Sequence, residues 1–282
     1  MTWQSGLIAA TDAEMAGLSE ATCAPVISSD FPGWETELRN PAASPLHHMR
    51  AQRQTLNDCR GQSLASGLER RNWHSNRLSP IVQSADMYAY NASEFLSGRL
   101  GRNRGASIPA GVTLLVKGIS KIGVAPGLPT DEDWPYSHYS TSEQNFIRRA
   151  KSADIQDGNL SSHGPLPGWE SALVAVAAGG CLDVGMYWPP KWTTVGGHRC
   201  VKRAPTGGGG HAVCGIWALD IGGDWYLTFW NSHGDRFFLM GQKVYESLLA
   251  SRFRPFGGFL LMPQSAQERW SARDWKTKLS VA

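Results

Sequence analysis

The chain has 282 residues, of which 41% are hydrophobic and 18% are charged, and it contains 12 tryptophans. This composition is typical of a globular protein with a packed core, and it excludes extended disorder and fibrous or coiled-coil architectures. The net charge is +3 with the basic residues spread along the chain, so neither a nucleic-acid partner nor membrane insertion is expected.

Residues 1–45 mix small, polar and proline residues with little periodicity, which predicts an N-terminal extension, either propeptide-like or a docking segment. Residues 46–282 are predicted to form the main domain, with a helical lobe over about 46–150 and a β lobe over about 151–282. The first residues lack the positive start and the apolar stretch of a secretory signal, so we expect the chain to be cytoplasmic at synthesis.

Three helices are predicted in the first half of the main domain. The first begins at or near Cys59, where Asn57 or Asp58 suits the N-cap and apolar residues follow at helical spacing. The second covers about 84–96. The third runs over 107–122 and is expected to end at Gly123, because glycine favours the end of a helix.

The second half is mostly strand. A short helix is predicted over 171–178, and strands over 181–187, 211–219 and 225–230. Glycine and aspartate residues between the last two strands predict a hairpin turn. The segment 189–210 has the weakest pattern, and its glycine run ends directly before His211.

Five cysteines at irregular spacing, with no Cys-x-x-Cys pair, indicate neither a disulfide framework nor a zinc site. Cys181 and Cys214 lie in apolar strand patterns and are expected to be inert. Cys59 differs, because a helix N-terminus and a nearby imidazolium both favour the thiolate form. The acidic run 131–133 is interpreted as a solvated turn, and no metal or cofactor is expected.

The hairpin also predicts which side chains meet. If its loop is centred near residues 221 and 222, His211 lies opposite Asn231 or within one pair of it. An amide beside a neutral imidazole can hold one ring nitrogen while the other acts as a base. A histidine that is merely satisfied within a sheet is the structural alternative.

Several blocks, in order along the chain, carry a resemblance to a known family. They are Gln54-Thr-Leu-Asn-Asp-Cys59-Arg-Gly-Gln-Ser-Leu-Ala65, the segment 105–126 followed by Asp133-Trp-Pro-Tyr136, Gly209-Gly-His211-Ala-Val, and Trp230-Asn231-Ser-His-Gly234. Together they resemble the papain family of cysteine peptidases, in particular its divergent bacterial and phage-encoded branches.

The resemblance implies an α+β, papain-like fold with two lobes and a site in the groove between them. It implies a cysteine peptidase that acts on polypeptide or peptide substrates without a cofactor. By the same resemblance Cys59 is the nucleophile, His211 is the base, Asn231 orients that histidine, and Gln54 completes the oxyanion hole. Arg60 and His233 each stand where the family has a tryptophan.

Three alternatives remain open at this stage. A shifted register would place Ser63 at the nucleophile position. The chain could also be a catalytically weak or inactive papain-like module with a structural or binding role in a phage virion or another assembly. A related thiol amidase acting on cell-wall peptides would share the same Cys–His chemistry.

Overall fold

The computed structural model describes residues 7–9, 11, 33–49, 54–76, 83–157, 160–203, 206–233, 236–250 and 258–263. The α-helices are α1 (Trp34–Arg39), α2 (Cys59–Asn76), α3 (Asp86–Leu96), α4 (Ile108–Lys117), α5 (Glu143–Ser152), α6 (Trp169–Ala177) and α7 (Gln242–Ala250). The strands are β1 (Gly127–Leu128), β2 (Gln156–Asp157), β3 (Leu160–Pro165), β4 (Cys181–Trp188), β5 (Lys191–Val195), β6 (His198–Arg203), β7 (Gly209–Ile221), β8 (Asp224–Trp230), β9 (Phe237–Gly241) and β10 (Gly258–Pro263).

Most strands belong to one sheet in the order β3-β10-β4-β7-β8-β9-β6-β5, while β1 and β2 pair separately. Neighbouring strands are antiparallel, except that β6 and β9 are parallel. The 13-residue strand β7 lies in the middle of the sheet and pairs with β4 on one side and β8 on the other. Residues 210–218 of β7 are all buried, so both faces of its central part are covered.

Helix α2 runs between helix α3 and the sheet, and two glycines let it approach both. A Cβ on Gly61 would lie 2.2 Å from the Asp86 carbonyl oxygen at the start of α3. A Cβ on Gly67 would lie 2.9 Å from Cys181 Sγ, on the sheet side. At Gly61 the obstacle is backbone, so no larger side chain fits there, whereas at Gly67 the Cys181 side chain would have to move. These close contacts fix the distance between the first turns of α2 and strand β7.

The apolar residues of both lobes form one continuous buried cluster. Helices dominate the chain up to α5, and antiparallel strands dominate after it. The predicted α+β class, with a helical lobe followed by an antiparallel β lobe, is confirmed. None of the described helices is long and apolar enough to cross a membrane.

The third predicted helix is shorter than expected. Helix α4 ends at Lys117 because Gly118 adopts a positive φ of 64° and its N–H bonds the Leu114 carbonyl. A 3₁₀ turn over Ser120–Ile122 follows, and Gly123, with φ 72°, ends that turn instead of the helix. Gly118 and Gly123 could each have ended the helix, and the earlier of the two does.

Helix α1, in the N-terminal extension, packs on the β lobe. Arg39 donates two hydrogen bonds, of 3.0 and 2.9 Å, to Asp220 Oδ2 at the end of β7. The Arg39 guanidinium also lies over the Trp225 ring at 5.1 Å, and the rings of Trp34 and Trp225 are 5.3 Å apart. Helix α1 is therefore docked on the β7–β8 hairpin.

Candidate active site

Cys59 is the first residue of α2, and its side chain is completely buried. Its Sγ accepts a hydrogen bond of 3.4 Å from the backbone N–H of Ala212. Ala212 follows His211 in β7, so the thiol lies against the strand segment that carries the histidine. The Gln62 N–H donates to the Asp58 carbonyl at 3.1 Å and closes the first turn behind the thiol.

His211 is buried and joined to Asn231, with 2.9 Å between His211 Nε2 and Asn231 Oδ1. Two further contacts set the orientation of the amide. Asn231 Nδ2 donates to the His233 carbonyl at 2.7 Å, and the His233 N–H donates to Asn231 Oδ1 at 3.2 Å. Because Oδ1 can only accept, Nε2 carries the proton, and the neutral ring keeps its lone pair on Nδ1.

The backbone register that brings these two residues together differs from the simple hairpin prediction. The turn is centred at Gly222 and Gly223, both with positive φ, and the ladder shifts register between Gly215 and Trp217. Pairing with β8 stops at Cys214, while His211 pairs with Met186 of β4. The two residues are neighbours through their side chains, not through the strand ladder.

Two aromatic rings pack against the His211 ring. The His233 ring lies 4.4 Å from that of His211, and the Trp188 ring lies 4.5 Å from it on another side. Trp188, at the end of β4, is therefore one of the residues that pack on the histidine. Sequence analysis missed Trp188, and its only local signal is its place at the end of an apolar strand pattern.

Gln54 lies beside this pair, although it is only five residues before Cys59. Its backbone N–H donates to the Ser232 carbonyl at 3.2 Å, and its side-chain Oε1 accepts from Ser232 Oγ at 3.0 Å. Both contacts fix the half-buried glutamine next to Asn231. With Oε1 engaged by a hydroxyl donor, the Gln54 amide presents its N–H₂ group as the remaining polar end.

Ser63, the alternative nucleophile, lies one turn further along α2 and is buried. Its hydroxyl donates to Asp183 Oδ1 at 2.8 Å. This contact directs Ser63 towards β4 and away from Ala212, so the geometry favours Cys59 at the nucleophile position.

Because both side chains are buried, a charged pair of Cys59 thiolate and His211 imidazolium is unfavourable in this structure. Burial raises the pKa of the Cys59 thiol to about 12, and Asp58 raises it further, while the Ala212 hydrogen bond and Arg60 lower it. Burial and His233 lower the pKa of His211 to about 3, against the effect of Asn231. The helix N-terminus led us to expect a lowered thiol pKa. Exclusion of water reverses that expectation, and both groups are neutral here.

Two described residues of the N-terminal extension lie beside the strand that carries His211. Leu7, which is 1% exposed, forms a parallel bridge with Ala106 of the helical lobe and an antiparallel bridge with Gly210 of the β lobe. The Ile8 N–H donates to the Ala106 carbonyl at 3.3 Å. Gly210 directly precedes His211, so residues 7 and 8 cross the groove beside the candidate site.

Among the described residues, no group of three or more His, Cys, Asp and Glu side chains is arranged to hold a metal ion. The acidic run forms a turn in which the Thr130 hydroxyl donates to Asp133 Oδ2 at 2.9 Å. Cys181 and Cys214 are buried at the back of α2, as their strand patterns predict, and Cys23 lies outside the described residues.

Several solved structures with a similar overall fold are cysteine proteases. Xylellain, a cysteine protease from Xylella fastidiosa, superposes with a TM-score of 0.54 at 16% identity, over 93% of this chain and 98% of that one. ProCathepsin B S9 from Trypanosoma congolense gives 0.52 at 14% identity, over 94% and 84%. The bromelain protease from Ananas comosus, in complex with the E64 inhibitor, gives 0.51 at 12% identity, over 77% and 95%.

No protein-family model and no curated protein match the sequence. The structural likeness therefore establishes that the chain has the papain-like α+β fold. At these identities it does not single out a bacterial or phage-encoded branch, which stays a prediction.

Proposed function

We propose that this protein is a cysteine peptidase in which Cys59 is the nucleophile and His211 is the general base. The observation that carries the proposal is the contact of Cys59 Sγ with the Ala212 N–H, because it brings a thiol at a helix start against the strand that presents His211. The hydrogen bond from His211 Nε2 to Asn231 Oδ1 supports it, because it leaves the Nδ1 lone pair for a proton.

The proposed reaction uses these groups in sequence. His211 Nδ1 takes the proton of Cys59, and the thiolate attacks the carbonyl carbon of a peptide bond. The resulting oxyanion is stabilised by the Cys59 N–H and the Gln54 side-chain amide. The C–N bond breaks as His211 gives its proton to the leaving amine. Water then loses a proton to His211 and hydrolyses the thioester, which restores the thiol.

We propose further that residues 1–45 keep the enzyme latent and that residues 46–282 are the peptidase domain. Leu7 bridges the two lobes beside His211, and the docking of α1 on Asp220 ties the same extension to the β lobe. Removing Leu7 from the groove would admit water, which lowers the pKa of Cys59 and raises that of His211. A solved structure with the same fold is that of proCathepsin B S9 from Trypanosoma congolense.

The test is the pH dependence of Cys59 alkylation, measured by peptide mass spectrometry. Leu7→Arg places a charge at a buried position and should open the groove, whereas Ala9→Arg changes an exposed position and serves as the matched control. We expect Leu7→Arg to label rapidly at about pH 5–6, and the added substitution His211→Ala to abolish that labelling.

Labelling of Cys59 in Leu7→Arg that is no faster than that of Cys200, and that is unchanged by His211→Ala, would contradict the peptidase proposal. The fold would then serve binding or architecture. If labelling is activated, casein and purified peptidoglycan as substrates separate a peptidase from a thiol amidase on cell-wall peptides.

A further inference from the structure

Tyr136, the last residue of the Trp-Pro-Tyr block, is half-buried and stands at the start of a 3₁₀ turn. The block begins in the core, because Trp134 is buried and its N–H donates to the Thr130 carbonyl at 3.1 Å. Pro135 follows with φ −65°, an angle that its ring holds fixed. A rigid turn therefore carries Tyr136, and its hydroxyl reaches the segment that precedes Cys59.

The Tyr136 hydroxyl oxygen accepts two hydrogen bonds from Thr55, which lies 81 positions away in the chain. The Thr55 backbone N–H donates to it at 3.1 Å, and the Thr55 hydroxyl donates to it at 2.9 Å. Burial raises the pKa of Tyr136 to about 12, and the charge of Asp58 acts in the same direction. The hydroxyl is therefore neutral at every pH at which a peptidase works, and it keeps both lone pairs for these contacts.

The bond to the Thr55 N–H acts directly on Gln54. That N–H belongs to the peptide plane that follows Gln54, while the Gln54 N–H, in the plane before it, donates to the Ser232 carbonyl at 3.2 Å. Because the backbone has only two soft dihedral angles at each residue, bonds to both flanking planes fix the direction in which the Gln54 side chain leaves the chain. Tyr136 and Ser232 therefore hold the glutamine backbone from two sides.

The segment between Gln54 and Cys59 is held at a further point, by Asn103. The Asn57 N–H donates to Asn103 Oδ1 at 2.9 Å, and Asn57 Nδ2 donates to the Asn103 carbonyl at 2.5 Å. Asn103 has a positive φ of 46°, a conformation that residues other than glycine rarely adopt unless their surroundings hold them there. Residues 54–58 are neither helix nor strand, so these contacts with distant residues determine the shape of the segment.

We propose that Tyr136 is a positioning residue for Gln54, which it holds through the Thr55 N–H so that the glutamine amide and the Cys59 N–H serve the same oxyanion. The inference deepens the proposed function and rests on it for its catalytic meaning. The donors of an oxyanion hole act because they are oriented in advance, and a displacement of about 1 Å can reduce the rate about 100-fold. Tyr136 itself contacts no substrate in this role.

The test uses Tyr136→Phe in the full chain, because this substitution removes the hydroxyl and leaves the ring in place. Tyr226→Phe is the matched control, since Tyr226 is also half-buried but lies near the start of β8, at the far end of that strand from Asn231. Each protein also carries Leu7→Arg in the activity assay, so that the groove is open. Steady-state hydrolysis of a peptide substrate gives kcat and KM, with and without Gln54→Glu.

We expect Tyr136→Phe to lower kcat about 10- to 100-fold and to leave KM within about twofold, because a displaced amide acts on the oxyanion and not on substrate binding. In the Gln54→Glu background the same substitution should change kcat by less than about threefold, since the donor that Tyr136 positions is already absent. An equal loss in both backgrounds would overturn the proposal, because Tyr136 would then not act through Gln54. An unchanged kcat in the protein that retains Gln54 would overturn it as well.

A measurement without substrate separates this inference from the proposed function. Hydrogen exchange of the Thr55 amide, followed by mass spectrometry of peptides that cover residues 54–58, should be at least about tenfold faster in Tyr136→Phe than in the parent. Tyr226→Phe should exchange at the parent rate. A parent that hydrolyses no peptide would contradict the peptidase, and the exchange rate would still decide the contact: an unchanged rate in Tyr136→Phe overturns the positioning role.

Discussion

Gln54 and Ser232 are joined by two hydrogen bonds, one between backbone atoms at 3.2 Å and one from the Ser232 hydroxyl to Gln54 Oε1 at 3.0 Å. Ser232 follows Asn231, so the segment that orients the histidine also holds the glutamine. The pairing compensates for the short spacing between Gln54 and Cys59, because the contact is set by position 232 and not by distance along the chain. The side-chain nitrogen of Gln54 is the group offered to an oxyanion.

Gln54→Glu tests that assignment. Glutamate keeps the oxygen that accepts from Ser232 and loses the N–H donor, so kcat should fall roughly 100- to 1,000-fold while KM changes little. Steady-state hydrolysis of a peptide substrate measures kcat and KM, with both proteins carrying Leu7→Arg so that the groove is open. Ser232→Ala is the control, since it removes one contact but leaves the donor. A kcat within a few-fold of the parent in Gln54→Glu would place the oxyanion donor elsewhere.

Cys59→Ser and Ser63→Ala distinguish the two registers of the nucleophile segment. A hydroxyl is a far weaker nucleophile than a thiolate, so Cys59→Ser should reduce hydrolysis to background. Ser63→Ala loses one hydrogen bond to Asp183, which costs about 1 kcal/mol of stability and leaves hydrolysis within a few-fold of the parent. Peptide hydrolysis and urea unfolding measure the two effects. The reverse pattern would make Ser63 the nucleophile.

Gly61→Ala tests how closely α2 must approach α3. The added methyl would lie 2.2 Å from a backbone carbonyl, which cannot move as a side-chain end can, so we expect a loss of about 1–3 kcal/mol in the free energy of unfolding. Urea denaturation with a constant slope measures it. Gly207→Ala is the matched control, because a Cβ there meets nothing within 4 Å. Equal stability of the two variants would contradict this packing.

Short sequence signals, such as cap residues and turn glycines, correctly predicted the elements that depend only on neighbouring residues. The start of α2 at Cys59 follows from its cap residues and helical spacing, and the β7–β8 hairpin follows from its glycine turn. Helix α5 was missed, although Ser142 caps it through the Asn145 N–H and Phe146 and Ala150 supply its buried face. Its short amphipathic pattern, with a strongly polar opposite face, gave no clear boundary.

Contacts between distant segments could not be predicted in this way. The buried side chains of Arg60 and Asp183 form an ion pair of 2.7 Å although the residues are 123 positions apart. In the sequence, each one looks like an ordinary charged residue exposed to water. Leu7 bridges the two lobes only because both reach the same groove. The pKa of the Cys59 thiol was misjudged for the same reason: the position at a helix start is local, whereas burial depends on distant segments such as the strand that carries Ala212.

Asp58 gives a pH-dependent prediction with a definite sign. Burial raises the pKa of its carboxyl from 3.8 to about 6, so the folded state holds a proton that the unfolded state releases. This contribution to stability is fully present below about pH 4 and is lost as the pH rises through 6. Asp58→Asn keeps an oxygen for Gln62 Nε2 and removes the charge. Its stability relative to the parent should therefore increase by up to about 3 kcal/mol between about pH 4 and pH 7.

Urea unfolding at several pH values measures this difference. The same Asp58→Asn substitution removes the negative charge beside Cys59, so the midpoint pH of Cys59 alkylation should move downward. A stability difference that stays constant from about pH 4 to pH 7 would mean that Asp58 keeps an ordinary carboxyl pKa in the folded protein.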